Sequence, residues 1–352
     1  MSRLLNVAGA RTYAGAGVSL EAGEDVVSRI RASVESTHRP GVLGGIGGFG
    51  GLFALDVAAY REPVLVATAD GVGTKLEVAR LAGRYDTVGV DLVAMLVDDL
   101  VCVGAEPLFV LDYVAVGSVD PAQLAVLVAG IAEGCRQAHA ALLGGETAEH
   151  GGVMKPDELD VAGFAVGVVE NGTQLSPARV RAGDALVGLH SPGLRSNGYT
   201  LAREILVTGA ASLHEPAFAG ASGTLADELL RPSVIYAPCV LGLRRELGAS
   251  VHGVAHVTGG GIVGNVARLV PDTLDAVIEM DAFVTPEIFF EMQRRGPVSA
   301  DEMVRVFNCG LGMVVALDAS AAEAAVSLAR ASGVDASIVG EVRVGTGRVV
   351  LV

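Results

Sequence analysis

The sequence predicts two consecutive domains of mixed α/β class (α+β mixed), joined just after residue 170. Three observations carry this. The chain has 352 residues, more than one typical core holds. Short Val-rich apolar runs alternate with longer amphipathic stretches, which is how strands and helices alternate. The alternation pauses over 170–183, where Asn171-Gly172 and Ser176-Pro177 read as turns, and then begins again. The expected division is 1–170 and 171–352.

In the first half a helix is expected over 21–37, with Val26, Val27, Ile30 and Val34 on one side and Pro40 after its end. The glycine-rich run Gly44-Gly45-Ile46-Gly47-Gly48-Phe49-Gly50-Gly51 follows as a loop. A strand over 64–69, a helix after Thr74, an apolar helix over 92–103 and a strand over 108–116 come next. Pro121 suits a helical first turn, so a helix is expected over 121–140. Strands over 141–143 and 161–169 complete this half, the former opening into Gly144-Gly145-Glu146-Thr147. The second half reads as a strand over 185–190, a helix from Tyr199, and a strand over 251–257 with a helix running to Leu269. A strand over 275–280, two short helices, a strand over 313–317, a helix over 321–331 and terminal strands follow.

Composition narrows the function. The formal net charge is −15 and no Lys/Arg cluster stands out, which argues against nucleic acid as a partner. No apolar run reaches the roughly 18 residues of a membrane span. Residues 1–13 lack a long apolar segment of the secretory kind, so a cytoplasmic protein is expected. The cysteines, Cys102, Cys135, Cys239 and Cys309, form no CxxC and are widely spaced, against structural zinc or a disulfide framework. Cys309 reads as a buried small apolar residue rather than a nucleophile.

Lysine is almost absent: Lys75 and Lys155 are the only two. Lys75 closes Asp70-Gly71-Val72-Gly73-Thr74-Lys75, directly after an apolar run. A carboxylate, glycines, a hydroxyl and a lysine at a strand end suggest a phosphate and metal site. Gly45-Ile46-Gly47-Gly48-Phe49-Gly50 matches GxGxxG in form, but it follows a helix exit and opens no helix, so a lid over a ligand is the better reading than a dinucleotide fingerprint.

The apolar segment 90–101 contains three aspartates, Asp91, Asp98 and Asp99. At about 100° per residue Asp91 and Asp98 share a face, with Asp99 beside it. Buried carboxylates need partners, and a metal ion or Lys75 would serve. An N-cap Asp91 with two solvated aspartates is the other reading, and both stay open here. Glu146 at a second strand end could join Asp70 and these aspartates around Mg²⁺, which takes a few carboxylates plus substrate phosphates. No GxxxxGK[ST] occurs. In the second half Arg195-Ser196-Asn197-Gly198 and His256-Val257-Thr258-Gly259-Gly260-Gly261 each join a strand to a helix. Such turns suit phosphate, and His256 beside one of them is a candidate for acid, base or orienting work.

Taken in order, the segments carry a resemblance. They are Gly47-Gly48-Phe49-Gly50, Asp70-Gly71-Val72-Gly73-Thr74-Lys75, Asp91-Leu92-Val93-Ala94-Met95, Gly104-Ala105-Glu106-Pro107-Leu108-Phe109, Gly144-Gly145-Glu146-Thr147-Ala148-Glu149, Asp160-Val161-Ala162-Gly163-Phe164, Ser196-Asn197-Gly198-Tyr199, the His256 turn, and Phe307-Asn308-Cys309-Gly310-Leu311-Gly312-Met313. From Tyr13 onward the chain closely resembles the phosphoribosylformylglycinamidine cyclo-ligase (aminoimidazole ribonucleotide synthetase) family. That resemblance implies an N-terminal domain whose sheet pairs across a homodimer into a barrel, and a C-terminal α/β domain. It implies ATP with Mg²⁺, phosphorylation of the formyl amide oxygen of formylglycinamidine ribonucleotide, and ring closure in purine synthesis.

By the same resemblance Asp70, Asp91 and Glu146 would hold metal. Asp70, Gly71, Thr74, Lys75, Asp91 and Glu146 would bind nucleotide. Lys75, Asp99 and His256 would be catalytic. Arg31, Phe49, Arg195, Asn197, Thr258, Gly259, Gly260 and Gly261 would meet the acceptor. The chain departs from the family at Arg195, where a His is usual, at Ser19 for Asp, and at Arg31 for a nearby Lys. An Arg cannot act as acid or base near neutral pH. A related ATP-dependent synthetase or kinase acting on another amide is therefore the alternative expectation.

Overall fold

The structure is a computed structural model that describes residues 11–13, 15 and 18–352. Helix α1 (Leu20–Glu35) is capped by Ser19, whose Oγ accepts from Ala22 N at 3.1 Å, as an Asp there could do equally well. Strands β1 (Val42–Leu43) and β2 (Leu52–Phe53) form a two-stranded hairpin whose tip is the glycine run. The run therefore links two strands and opens no helix, and the tilted Phe53–Phe109 ring pair, centroids 5.4 Å apart, anchors its base.

The first sheet contains β3 (Pro63–Gly71), β4 (Glu106–Val116), β5 (Ala141–Glu149) and β6 (Leu159–Glu170) in the order β3-β6-β4-β5. Only β4 and β5 run parallel. Helices α2 (Lys75–Ala82), α3 (Val88–Cys102) and α4 (Pro121–Gln137) belong to this half. Asp120 caps α4 at Ala122 and Gln123 N, and Pro121 takes its first turn as expected.

The second half holds α5 (Tyr199–Leu206), α6 (Leu225–Leu229), α7 (Ala237–Leu247), α8 (Gly261–Val266), α9 (Glu287–Arg295), α10 (Ala300–Val306) and α11 (Ala322–Ala331). Its strands are β7 (Ala185–His190), β8 (Val251–His256), β9 (Leu274–Ile278), β10 (Leu311–Leu317), β11 (Ala336–Val344) and β12 (Val349–Leu351), in the order β12-β9-β11-β7-β10-β8. Every pairing is antiparallel except β12 with β9. Mixed α/β class thus holds with sheets that are mainly antiparallel. The rule placing ligands at the carboxyl ends of a parallel sheet has no purchase here.

Helix α3 decides where the site lies. It packs on β3 and β6 of the first sheet and on α7 and β8 of the second half. Enclosed over most of its surface, it is apolar apart from its three aspartates. Residues 88–98 are all buried, and Asp99 is the exception that reaches solvent. Helix α7 escaped the sequence reading: Pro238 near its start and a short apolar run with no clear period hid it.

Candidate active site between the domains

The three aspartates of α3 all point to the second half of the chain. Asp91 is fully buried; its Oδ2 lies 2.6 Å from Lys75 Nζ, while its Oδ1 accepts from Ser233 N at 2.9 Å and Ser233 Oγ at 2.6 Å. Lys75 Nζ also donates to the carbonyls of Arg195 at 3.0 Å and Arg231 at 2.8 Å. An ammonium has three donors, and all three are spent. Burial lowers the Lys75 pKa and the Asp91 charge opposes that. This corrects two expectations. Lys75 has no proton left for a phosphate, and Asp91 has no open oxygen for a metal or nucleotide. The pair fastens α2 and α3 to the segment before α7.

Asp98, passed over as a site residue, is buried beside Arg195. Its Oδ2 accepts from Arg195 Nη2 at 2.8 Å, and its Oδ1 accepts from the backbone N–H of Tyr236 (2.8 Å) and Ala237 (2.9 Å) at the start of α7. It therefore also neutralises a helix N-terminus. Arg195 donates from Nη1 to Val234 O at 2.7 Å and lies 4.7 Å from the Tyr236 ring centre. With a side chain only 1% exposed, Arg195 offers no face to a substrate, contrary to the acceptor-binding expectation.

His256 is buried too: Nδ1 lies 2.9 Å from Asp99 Oδ1 and Nε2 lies 3.0 Å from Arg195 Nη2. Both ring nitrogens are engaged by protein, so direct proton exchange with a ligand is closed to it in this arrangement. Asp99 is different. Its side chain is 45% exposed and lines a cleft of about 330 Å³ with Thr68, Asn265 and Arg268. Asp70 is also exposed, and only its own Gly71 N–H, at 2.8 Å, engages its Oδ1. The protein mass around Asp70 raises its pKa and the nearby Asp99 charge adds to that. These two carboxylates form one electrostatic site.

Glu146 lies elsewhere. Strand β5 runs on to Glu149, so Glu146 sits inside a strand rather than past its end. Strands β3 and β5 are opposite edges of the sheet, three strand spacings or roughly 14 Å apart. Asp70, Asp91 and Glu146 therefore do not converge as one metal site within a subunit. Glu146 instead lines a second cavity, of about 970 Å³, beneath the glycine hairpin with Phe49, Ile46 and Val26. Phe49 is fully exposed at the hairpin tip. Arg31 pairs loosely with Glu35, 3.8 Å away, and is not among that cavity's lining residues.

Asn197 lies beside the Thr258–Gly261 turn, its Nδ2 only 3.5 Å from Met95 Sδ. Asn265, missed by the sequence reading, holds that turn through Nδ2 to the carbonyls of Thr258 (3.2 Å) and Gly261 (2.9 Å). Gly261 has φ +61 and a Cβ there would stand 2.2 Å from Val304 O, which is why glycine is required. Thr74 Oγ1 contacts Thr200 Oγ1 across the halves at 3.1 Å, and Gly71 is partly buried in β3. Cys309 is buried with its thiol pushed up to about 12, an inert residue as expected.

Comparison with known proteins fits this geometry. Residues 55–169 match the AIR synthase related protein N-terminal domain, and residues 181–352 match its C-terminal domain. The phosphoribosylformylglycinamidine cyclo-ligase of Carboxydothermus hydrogenoformans is 47% identical over 97% of this chain and 98% of its own. That of Anaeromyxobacter dehalogenans is 51% identical over 95% and 96%. The chain belongs to the phosphoribosylformylglycinamidine cyclo-ligase family. The fold extends further: hydrogenase maturation protein HypE in complex with ATP superposes with TM-score 0.66 at 18% identity, covering 95% of this chain and 92% of that one. Thiamine-monophosphate kinase from Stenotrophomonas maltophilia gives 0.65 at 20%, over 93% and 95%.

Arg195 is buried and lines neither cavity. Asp112, also unforeseen, faces the larger cavity from β4, and burial pushes its carboxyl up to about 7. The folded protein then holds a proton that the unfolded chain has released between about pH 4 and 7. Stability should fall as pH rises through that window, by at most about 4 kcal/mol. Denaturant unfolding at pH 5 and pH 8 measures this, and Asp112→Asn should abolish the difference attributable to this group. An unchanged difference in the variant would refute it.

Proposed function

We propose that this chain closes the imidazole ring of aminoimidazole ribonucleotide from formylglycinamidine ribonucleotide, using ATP and releasing ADP and phosphate. End-to-end identity with cyclo-ligases carries the reading: 47% to 51% over at least 94% of this chain. An amide carbon is a poor electrophile. Phosphorylating its oxygen creates a leaving group, the amidine nitrogen attacks, the C–N bond forms, and the C–O bond to phosphate breaks.

The donor set suits Mg²⁺. Asp70 has an open carboxylate oxygen, and one or two carboxylates with substrate phosphates are its usual ligands. Bound there, the ion would offset charge on the transferring phosphoryl group. Asp99, whose charge is felt at Asp70, opens to the cleft of about 330 Å³ with a free oxygen and accepts the proton that the attacking amidine nitrogen loses. Asn197 and the Thr258–Gly261 turn, which the cleft residue Asn265 holds, are assigned to the acceptor. Glu146 and Phe49 line the larger cavity, which lies apart from Asp70 and Asp99 and whose volume is within the usual range for small-molecule sites. The alternative amide or kinase reading rested on Arg195 standing where the family usually has His; its burial speaks against direct anion binding by Arg195, and the assay decides between the two readings.

Purified protein with Mg²⁺-ATP and formylglycinamidine ribonucleotide should yield ADP and the aminoimidazole product in equal amounts. ATP turnover on another amide, with none on this one, would reverse the assignment. We further propose a homodimer through the outer face of the first sheet, where Leu65 (62% exposed) and Phe164 (50%) are apolar and open. A sedimentation mass of one chain would contradict that. Limited proteolysis within 170–183 tests the domain division. No helix among the described residues is long and apolar enough to cross a membrane. A cytoplasmic site of action is proposed, which recovery in the membrane pellet would contradict.

A further inference from the structure

We infer that Arg195 is a positioning residue that acts through His256 to fix the orientation of the Asp99 carboxylate. The inference goes beyond the proposed ring closure and depends on that reading only for its kinetic test.

The geometry is directional. A guanidinium carries donors and no acceptor. Arg195 Nη2 stands 3.0 Å from His256 Nε2, so Nε2 must present its lone pair. The ring proton then resides on Nδ1, which faces Asp99 Oδ1 at 2.9 Å. The chain of contacts Asp98–Arg195–His256–Asp99 thus assigns the tautomer and points one Asp99 oxygen inward. The other oxygen is left to the cleft.

Arg195 is itself held from several sides. Asp98 Oδ2 takes Nη2, Val234 O takes Nη1, and Lys75 Nζ holds the Arg195 carbonyl. Its φ of +63 is one of three positive values at non-glycine positions among the described residues. Such backbone costs on the order of 1–3 kcal/mol and persists only where the surroundings over-determine it. A lysine could not serve both Asp98 and His256 with the same planar fork. The interaction is built from protein groups alone, so it exists before any ligand binds.

The test reads the histidine directly. ¹⁵N-detected NMR of the full-length protein, histidine-labelled, should place the His256 ring proton on Nδ1, with Nε2 carrying none. A proton on Nε2, or on both nitrogens, overturns the inference. In the Asp98→Asn/Arg195→Met double variant, which removes charge from both members together, the His256 signal should move to a mixture of tautomers. With formylglycinamidine ribonucleotide its kcat should fall by roughly 10- to 100-fold, with KM for ATP within about twofold, because misplacement of a reacting group is costly in rate. A folded double variant with the wild-type tautomer and full kcat refutes the positioning role. Should the double variant not fold, the wild-type spectrum decides. Should the wild-type protein not turn over this substrate, the ring-closure reading fails while the tautomer result still stands.

Discussion

Replacing Lys75 with methionine is expected to lower the unfolding free energy by about 3–5 kcal/mol. The reason lies in what is left behind. Asp91 would be left fully buried without its cation, with Ser233 as its remaining partner. The carbonyls of Arg195 and Arg231 would lose their donor as well. Domains of ordinary stability hold only about 5–15 kcal/mol in total, so the loss is severe. Adding Asp91→Asn removes the stranded charge and keeps an oxygen for Ser233. The double variant should therefore regain a large part of the loss. Denaturant unfolding of the three proteins measures this. A Lys75→Met protein of unchanged stability that has lost nucleotide binding would instead make Lys75 a phosphate ligand.

The second large effect is on catalysis. Asp99→Asn should reduce kcat by about 100-fold or more, the usual scale of a positioned general base. Asn still offers an oxygen to His256 Nδ1–H, and the side chain is 45% exposed, so the fold and the histidine should be unaffected. What is lost is basicity. Steady-state kinetics together with the unfolding midpoint separate the two. A variant retaining most of its kcat would remove Asp99 from proton transfer.

Much of this architecture was legible in the sequence. Strand and helix positions followed from period and from Pro121 or Gly turns, because those signals are local. The long glycine run was expected to open no helix, and it links β1 to β2. The three aspartates in an apolar helix left two readings open; Asp91 and Asp98 proved buried and partnered, while Asp99 reaches solvent. Which partner each one takes was not legible, for that depends on how the second half folds back over α3. Lys75 illustrates the point. Its rarity in the chain marked it as special, but rarity does not separate a buried structural charge from a ligand. Asp70 and Glu146 looked convergent because each follows an apolar run; the strand order β3-β6-β4-β5 places them on opposite edges. Arg195 looked like a change in the acceptor site because the family it resembles usually has His before Ser-Asn-Gly. Its positive φ turns the side chain inward to Asp98 instead, and nothing in the local sequence announces that turn. Asn265 and Asp112 carry no motif at all, and only the three-dimensional packing brings them to the two cavities.

The central claim is that the formyl amide oxygen is phosphorylated before the ring closes. Substrate labelled with ¹⁸O at that oxygen tests it in one turnover with unlabelled Mg²⁺-ATP. The released phosphate should carry one ¹⁸O atom per product formed. Label released as water, with phosphate unlabelled, would contradict it.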